Sequence, residues 1–569
     1  MNTQETAKSE DRRGQGSWNL RWVILLSALL PWLAQPPFAL WPISLLAVVP
    51  LLWLSNRPTI SRREFLGLYA ASAIYWATTL QGLRHAHPLI YPCWLVLAGY
   101  LGIYPVLFVL VLRRVRRWMP LELAAPMVWV AAECLRNYLL TGLSAAMLGH
   151  SLADIPALIQ IADLGGTYLV SAMLIVVNVA IFQAVVHRQA LLHAMPAIGL
   201  MLVVVAFSYL YGRMRLAEET TPGSTTFALI GRNEVVEYIQ DKDRQIELYQ
   251  AYARQSEASL RNTDRVVDVV VWPESMFTAD LAWNVGDGNS RIAEAEGLTP
   301  AEVRQSLQSS RDSFEMRARS LQYYLSESNT FTEASSTSEL QVARKIPHLL
   351  VGCGVINYGD EVEPHSGVVH IDSNGRVAEW YAKMHLVMFG EYVPIVSSIP
   401  GIRSLVPGNM GLTAGDGPRP MNVDGYSVCP NICVETAVER VTVNHFRTLL
   451  RSEQPLPHAV VSVSNDGWFD DSSVVQHHKR CAQLVAVATR RDILSAANNG
   501  PTVWIDRFGQ VVEELPQGQS GAVIATPPRN QPVSIAVRYG DWPVRFVSLL
   551  VLVIAVVPSR HESVGDASS

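Results

Sequence analysis

The chain has 569 residues, 49% hydrophobic and only 17% charged, against roughly 25% charged in an ordinary soluble protein. That balance excludes a disordered chain, which needs low hydrophobicity and high net charge. A formal net charge of −5 argues against a nucleic-acid footprint, which is a strongly basic face.

The apolar residues gather at the two ends of the chain. A membrane helix needs about 20 mostly apolar residues. Such runs occur near 22–36, 38–54, 66–82, 92–112, 121–140, 165–187, 190–211 and 543–558. Pro36-Pro37 separates the first two, because proline cannot continue a helical ladder. A cleaved signal peptide would be followed by a soluble chain, but here further apolar runs follow the first. Basic residues alternate from loop to loop. They occur at Lys8, Arg12, Arg13 and Arg21, at Arg57, Arg62 and Arg63, at Arg113, Arg114, Arg116 and Arg117, and at Arg188. The intervening loops carry only Arg84. Cytoplasmic loops collect Lys and Arg. The pattern predicts a cytoplasmic tail over 1–21 and seven membrane helices over 22–211. Residues 212–542 then lie outside, a final membrane helix covers 543–558, and 559–569 return to the cytoplasm. Arg136, close to Glu133 within the fifth run, is costly in a membrane unless it faces protein or water.

Residues 212–542 read as a covered α/β sandwich. Thr225–Ile230, Val266–Trp272, Leu349–Ile356, Gly367–Ile371, Ser427–Cys433, Ala459–Ser464, Ile493–Ala496 and Thr502–Ile505 are β-branched runs bounded by turn residues. They are apolar through most of their length, as strands covered on both faces are. Ser373-Asn374-Gly375 and Arg507-Phe508-Gly509 read as turns. Residues 241–261 and 474–490 have helical spacing. Residues 284–345, rich in Ser, Glu and Arg, read as an inserted arm with a helix near 300–324.

Three strand ends carry reactive side chains, and active groups often lie where strands run out into loops. Glu274 follows Val269–Trp272 and Pro273; it is either a strand-end glutamate that caps the next segment or, if burial raises its pKa, a usable base. Lys383, His385 and Glu391 occur within nine residues of an otherwise apolar segment; this is either an exposed hairpin strand with surface charges or a buried one whose lysine could hold an oxyanion. Cys433 ends a third strand, two residues before Glu435. It is a nucleophile if a base stands near it, a buried hydrophobe if none does, or a disulfide partner of Cys429. Six cysteines are too few for a disulfide scaffold, and their spacing fits no structural zinc site. There is no phosphate loop and no Gly-x-Ser-x-Gly elbow. His477-His478 and His85/His87 lack metalloprotease spacing and read as polar surface or lining residues.

Glu, Lys and Cys in that order, each on its own strand-to-loop segment, resemble the nitrilase superfamily. The wording narrows the resemblance to the apolipoprotein N-acyltransferase family. It is carried by Trp272-Pro273-Glu274-Ser275, Tyr381–Val387 with Phe389–Pro394, Ile432–Glu435, Ser464–Phe469 and Asn498-Asn499-Gly500. Glu133–Arg136, Asp163–Gly166 and Arg538–Trp542 agree in the apolar parts. The resemblance implies about eight transmembrane helices plus a nitrilase-like αββα sandwich. It implies that an acyl chain passes from a membrane phospholipid to a Cys433 thioester, then to the α-amino group of a diacylglyceryl-modified N-terminal cysteine. It makes Cys433 the nucleophile, Glu274 the base and Lys383 the oxyanion stabiliser, with Glu391 and Glu435 in support. Trp272, Tyr392, Asn465, Trp468 and Arg136 become candidates for substrate contact. The expected setting is the bacterial inner membrane, as a monomer, with the catalytic domain periplasmic. The expected partners are phospholipid and apolipoproteins, with no nucleic acid, metal or cofactor. Val434 departs from the family's usual aromatic, and Ile230-Gly231-Arg232-Asn233 from its usual Gln-Gly-Asn. A membrane-anchored carbon–nitrogen hydrolase and a catalytically silent lipid-binding scaffold are the alternatives.

Overall fold

The computed structural model describes residues 19–85, 90–221, 223–236, 241–286, 299–334, 340–359, 361–388, 390–392, 411–530 and 532–557. Lys8, Arg12, Arg13, His87, Phe389, Val393, Pro394 and the tail 559–569 lie outside the described residues. The chain divides into two compact units. One comprises Met1–Gln81, Tyr91–Ala217 and Asp541–Ser569; the other comprises Gly82–Ile90 and Glu218–Gly540.

The first unit is helical. Its helices are α1 (Leu20–Ala34), α2 (Val49–Asn56), α3 (Arg62–Thr79), α4 (Ile90–Val115), α5 (Leu121–Tyr138), α6 (Ala162–Val186), α7 (Met195–Leu216) and a last helix, Trp542–Val556. Three of these, α4, α6 and α7, are long and apolar enough to cross a membrane. The second apolar run is not one helix. It breaks into a tight turn, Trp41–Leu45, and α2, each with a proline at its start. Pro50 has no N–H to extend a helix from 46. Near its start α6 is also interrupted, at Gly165 and Gly166, and Gly166 has φ +67. Buried polar side chains stitch the helices. Asn178 accepts from the Val48 N–H at 2.8 Å and donates to the Ser44 carbonyl at 2.9 Å. Asp163 accepts from the Tyr211 hydroxyl and pairs with Arg215, both at 2.9 Å.

The second unit holds two facing sheets. The first runs β15 (Gly521–Ala525), β1 (Phe227–Gly231), β2 (Val269–Trp272), β6 (His348–Tyr358), β7 (Val362–Ile371), β8 (Val377–Ala382), with β3 (Trp283–Gly286) also beside β6. The second runs β14 (Val511–Glu514), β13 (Val503–Ile505), β12 (Asp492–Asn498), β11 (Ala459–Asn465), β10 (Tyr426–Ile432), β9 (Met421–Val423). A separate hairpin pairs β4 (Thr330–Ala334) with β5 (Leu340–Arg344).

Side-chain alternation along the strands builds the layers. Phe227, Leu229, Val269 and Val271 point between the sheets and meet Val428, Ile432, Val461 and Val463. Their neighbours Ala228, Ile230, Val270 and Trp272 point outward and pack with Tyr252 of α8 (Lys242–Arg261) and Phe314 of α9 (Pro300–Ser326). On the far side Cys429 and Val460 pack with Phe446 of α11 (Glu439–Arg451) and Val485 of α12 (Ser473–Thr489). The result is an α–β–β–α sandwich, with α10 (Val434–Ala437) joining β10 to α11. Strands β1, β2 and β6 are parallel, as are β10, β11 and β12. A bridge between Arg232 and Asn498 ties the carboxyl ends of β1 and β12 together.

Within 284–345 the helix expected near 300–324 is present as α9, and it is packed rather than free. Leu307, Phe314, Ala318, Leu321 and Leu325 recur at helical spacing on one face of α9 and are buried. The helix is a structural layer, begun by a Thr299–Glu302 capping box with Pro300 in its first turn. Phe314→Ala should therefore cost about 3–5 kcal/mol. A clear drop in the thermal unfolding midpoint of the full-length protein checks this; a free arm would leave the midpoint unchanged.

Candidate active site

Glu274, Lys383 and Cys433 each follow a strand that runs the same way through its sheet. Glu274 follows β2 across Pro273. Gly352 of β6 permits this turn, since a Cβ there would lie 2.4 Å from the Pro273 carbonyl oxygen. Lys383 leaves β8 with its N–H on the Ser366 carbonyl at 2.9 Å and its own carbonyl on the Gly415 N–H at 2.8 Å. Cys433 leaves β10 with its N–H on the Val463 carbonyl at 2.8 Å. Its φ of 52° is unusual for a residue with a side chain. Such backbone strain is typical of functional sites.

The lysine is the hub. Its side chain is 1% exposed. Lys383 Nζ donates to Glu391 Oε1 at 2.6 Å and to Glu274 Oε1 at 3.4 Å. Glu274 Oε1 also accepts from the Ser366 hydroxyl at 2.9 Å, and Glu391 Oε2 accepts from the Val387 N–H at 2.8 Å. Burial alone would lower the lysine pKa. Glu274, Cys433 and Glu391 outweigh it and hold the amine well above its ordinary value, so it is an ammonium. Burial raises the Glu274 pKa, Lys383 pulls it down and Glu391 pushes it up, with a net rise. Burial pushes the Cys433 thiol up, and Lys383 draws it partly back. The three groups thus set one another's protonation. A thiol, a raised carboxylate and a fixed ammonium together are able to move a proton off sulfur and to hold a developing oxyanion.

Glu435 fastens the site. It is fully buried. Its Oε1 accepts from the N–H groups of Met384 at 2.7 Å and His385 at 3.0 Å. Its Oε2 accepts from the Ile432 N–H at 2.8 Å. The Tyr381 hydroxyl lies 2.9 and 3.0 Å from the two oxygens. One carboxylate therefore clamps the lysine loop of one sheet to the cysteine turn of the other. Burial raises its pKa to about 7, against the pull of those donors. Burial, Arg440 and Lys383 lower His385 to about 4, so its imidazole is neutral.

Comparison with known proteins decides the family. Residues 27–180 match the model of the apolipoprotein N-acyltransferase N-terminal domain. An apolipoprotein N-acyltransferase of Rhodopirellula baltica is 44% identical over 554 residues, covering 92% of this chain and 95% of its own. The chain belongs to the apolipoprotein N-acyltransferase family. A family member from Azotobacter vinelandii is 27% identical over 559 residues, covering 94% of each chain. An amidase of the nitrilase superfamily from Nesterenkonia AN1, solved as a cysteine-to-serine mutant, gives a TM-score of 0.33 at 14% identity, covering 57% of this chain and 97% of its own.

The family resemblance names further candidates, and the structure separates them. Trp272 is corrected: it is fully buried, donates its indole N–H to Ser256 Oγ at 2.8 Å and packs among Tyr249, Tyr252 and Phe277. It supports the Glu274 turn from behind and offers no surface to a substrate. Asn465 ends β11, buried, with its Oδ1 3.0 Å from Asn498 Nδ2. Trp468 is half-buried on the turn Asp466–Phe469. Half-buried Tyr392 bridges to Met388 and Gly411. Arg136 belongs to the helical unit, where its guanidinium lies 4.9 Å from the Trp76 ring and Nη2 donates to the Ala145 carbonyl at 3.3 Å. The Cys429–Cys433 disulfide is also corrected. Both are free cysteines, and Cys429 packs with Phe446 and Val460 on the face of β10 away from Lys383.

Ser366 escapes the sequence reading, because a serine in mid-strand carries no local signal. His477 and His478 are corrected too: both are buried on α12, and His478 Nδ1 lies 3.2 Å from Asp466 Oδ2. Arg232, where the family pattern differs, pairs with Glu234 and lies 5.3 Å from the Tyr252 ring.

Glu435→Gln tests the clamp. It preserves shape but turns an amide N–H₂ toward backbone donors. Hydrogen bonds to a charged group contribute about 1.5–3 kcal/mol. The variant should unfold at a lower temperature, and Cys433 should react more slowly with an alkylating agent.

Proposed function

We propose that this protein transfers an acyl chain from a membrane phospholipid to the N-terminal S-diacylglyceryl-cysteine of apolipoproteins. The observation that carries this reading is the Lys383 Nζ bonded to Glu274, with Glu435 binding the backbone of both the lysine loop and the turn that bears Cys433. Near-full-length similarity to proteins named apolipoprotein N-acyltransferase supplies the substrate class.

In the first half-reaction Glu274 takes the thiol proton. The sulfur attacks the phospholipid ester carbonyl, and a C–S bond forms. Lys383 stabilises the tetrahedral oxyanion. Collapse breaks the ester C–O bond, and Glu274 returns its proton to the departing lysophospholipid oxygen. In the second half the acceptor's α-amino group attacks the thioester and loses a proton to Glu274. An amide forms, the C–S bond breaks, and the proton returns to sulfur. Splitting the transfer through a covalent intermediate replaces one difficult step by two easier ones. Glu391 holds the lysine beside Glu274. Tyr392, Asn465, Trp468 and Arg136 remain the proposed substrate contacts.

The proposed setting is the inner membrane, crossed eight times. Residues 22–211 supply seven crossings and 543–558 the eighth. The nitrilase-like domain, 212–542, is periplasmic, and the tails 1–21 and 559–569 are cytoplasmic. The charge alternation between loops supports this count. Three helices are both long and apolar enough unaided, and the shorter apolar ones require a locally thin bilayer or flanking polar residues.

Intact-protein mass spectrometry after incubation with phospholipid tests the chemistry. An acyl mass should appear on wild type, be released by hydroxylamine, and be absent from Cys433→Ala. Its formation should quicken as pH rises through the Glu274 ionisation, because only the carboxylate accepts a proton. Absence of the adduct from folded protein across several head groups would sink acyl transfer. Orientation is tested separately. A reporter active only in the periplasm, fused after Glu219, should be active, and a silent fusion would invert the topology.

A further inference from the structure

The two oxygens of Glu274 are not equivalent. The Ser366 hydroxyl donates to Oε1 at 2.9 Å, and Lys383 Nζ donates to the same oxygen at 3.4 Å. Among the described residues no hydrogen bond reaches Oε2. The glutamate side chain keeps 11% of its surface exposed. Ser366 is buried in β7, opposite Gly354 of β6. Its carbonyl accepts the Lys383 N–H at 2.9 Å. One residue thus touches Glu274 through its side chain and the start of the lysine loop through its backbone.

The last torsion of a glutamate is soft, so an unpinned carboxylate exchanges its oxygens easily. The lysine alone is a weak pin, because its contact with Glu274 is long beside the 2.6 Å to Glu391. The serine supplies the shorter bond. The donors also decide where a proton sits. An ammonium has three donors and no acceptor. A proton on Oε1 would set an O–H against Lys383 and take the lone pair that Ser366 uses. A proton on Oε2 disturbs neither, since a protonated carboxyl keeps an acceptor at its other oxygen. Both donors then stay on Oε1 whether Glu274 is charged or neutral.

We propose that Ser366 is a positioning residue for Glu274, pinning Oε1 so that protons enter and leave the base through Oε2. The proposal rests on the reading of Glu274 as the base of acyl transfer. Oε2 takes the thiol proton and returns it to the lysophospholipid oxygen. It then takes the proton of the acceptor amine and returns it to sulfur. The carboxylate is set for the second acceptance as it was for the first, with no rotation between them. Burial raises the Glu274 pKa most, and Lys383 and the Ser366 hydroxyl restrain the rise. Loss of the hydroxyl therefore leaves a freer base and less of it as carboxylate.

The test uses the full-length protein in lipid nanodiscs. Infrared difference spectra across pH follow the carbonyl stretch of protonated Glu274, assigned by its loss in Glu274→Gln. Acyl-enzyme formation from mixed phosphatidylethanolamine and phosphatidylglycerol is followed in parallel. In wild type the stretch should lie low, as it does when the C=O oxygen accepts hydrogen bonds. In Ser366→Ala, which keeps the backbone bond to Lys383, the stretch should move to higher wavenumber. The titration midpoint should move to higher pH. Acylation should slow about 10–100-fold at unchanged half-saturating lipid. Ser366→Thr keeps the hydroxyl and should restore the stretch and the midpoint. Ser366→Cys, a weaker donor of similar shape, carries the infrared test if Ser366→Ala does not fold. A wild-type stretch typical of an unbonded C=O would place the proton on Oε1 and overturn the proposal. Equal slowing in Ala and Thr with an unmoved midpoint would overturn it too, since that signals a structural role alone. The infrared titration needs no acyl transfer. A wild type that never acylates therefore defeats the acyl-transfer reading, while the stretch still decides whether Ser366 pins Oε1.

Discussion

The ammonium of Lys383 is almost wholly removed from water, between the carboxylates of Glu274 and Glu391. Burying one ion costs several kcal/mol, and a neighbouring charge offsets that only when the geometry is close and the remaining lone pairs are satisfied. The second condition explains much of the surrounding structure. Ser366 on β7 completes Glu274, and the Val387 N–H completes Glu391. The two carboxylates come from segments that never meet in sequence, so the strand ends bearing them must converge. A sandwich with parallel central strands does this, because the carboxyl ends of those strands gather on one side. Glu435 then fixes the distance between the sheets at the place where the charges need it.

Much of the sandwich is legible in the sequence. Strands apolar on both faces imply covering layers, and two facing sheets with helices outside are the simplest way to supply them. Alternation along β1 and β2 assigns each residue to a layer. The helix α9 is legible as a helix, but its packing is harder to read. Its sequence is polar overall, and only five positions at helical spacing carry its packing face. Composition hides such a stripe, whereas periodicity reveals it. The second apolar run misleads for the opposite reason: hydropathy is blind to Pro42 and Pro50, which interrupt the helix.

The site is legible where chemistry and local order coincide. Glu274, Lys383 and Cys433 each terminate a recognisable strand; Lys383 bonds Glu274, and Glu435 ties the lysine loop to the turn that bears Cys433. Trp272 is misplaced by its position beside Glu274, which suggests the site, while strand alternation turns its side chain to the opposite face. Adjacent residues on a strand point to opposite sides. Ser366 is out of reach for another reason. It meets Glu274 across the sheet, and no spacing along the chain encodes such a meeting. Gly500 shows the same limit, since its role is to leave room for the side chain of Asp466.

In the proposed reaction these contacts bear on how a thiol raised by burial would serve as a nucleophile. Ionising Cys433 by releasing a proton to solvent would add a charge to a site where burial already disfavours one. Passing the proton to Glu274 adds none. The carboxylate becomes neutral, the sulfur becomes negative, and Lys383 faces one anion from that pair before and after the step. Both pKa values are raised by the same burial, so the difference between them, and not the height of either, sets the cost of transfer. Glu391 keeps its contact with the lysine throughout, which holds the ammonium still while its other partner changes. The proposed reaction thus moves charge between two sites already arranged around one cation, and the framework need not reorganise to permit it.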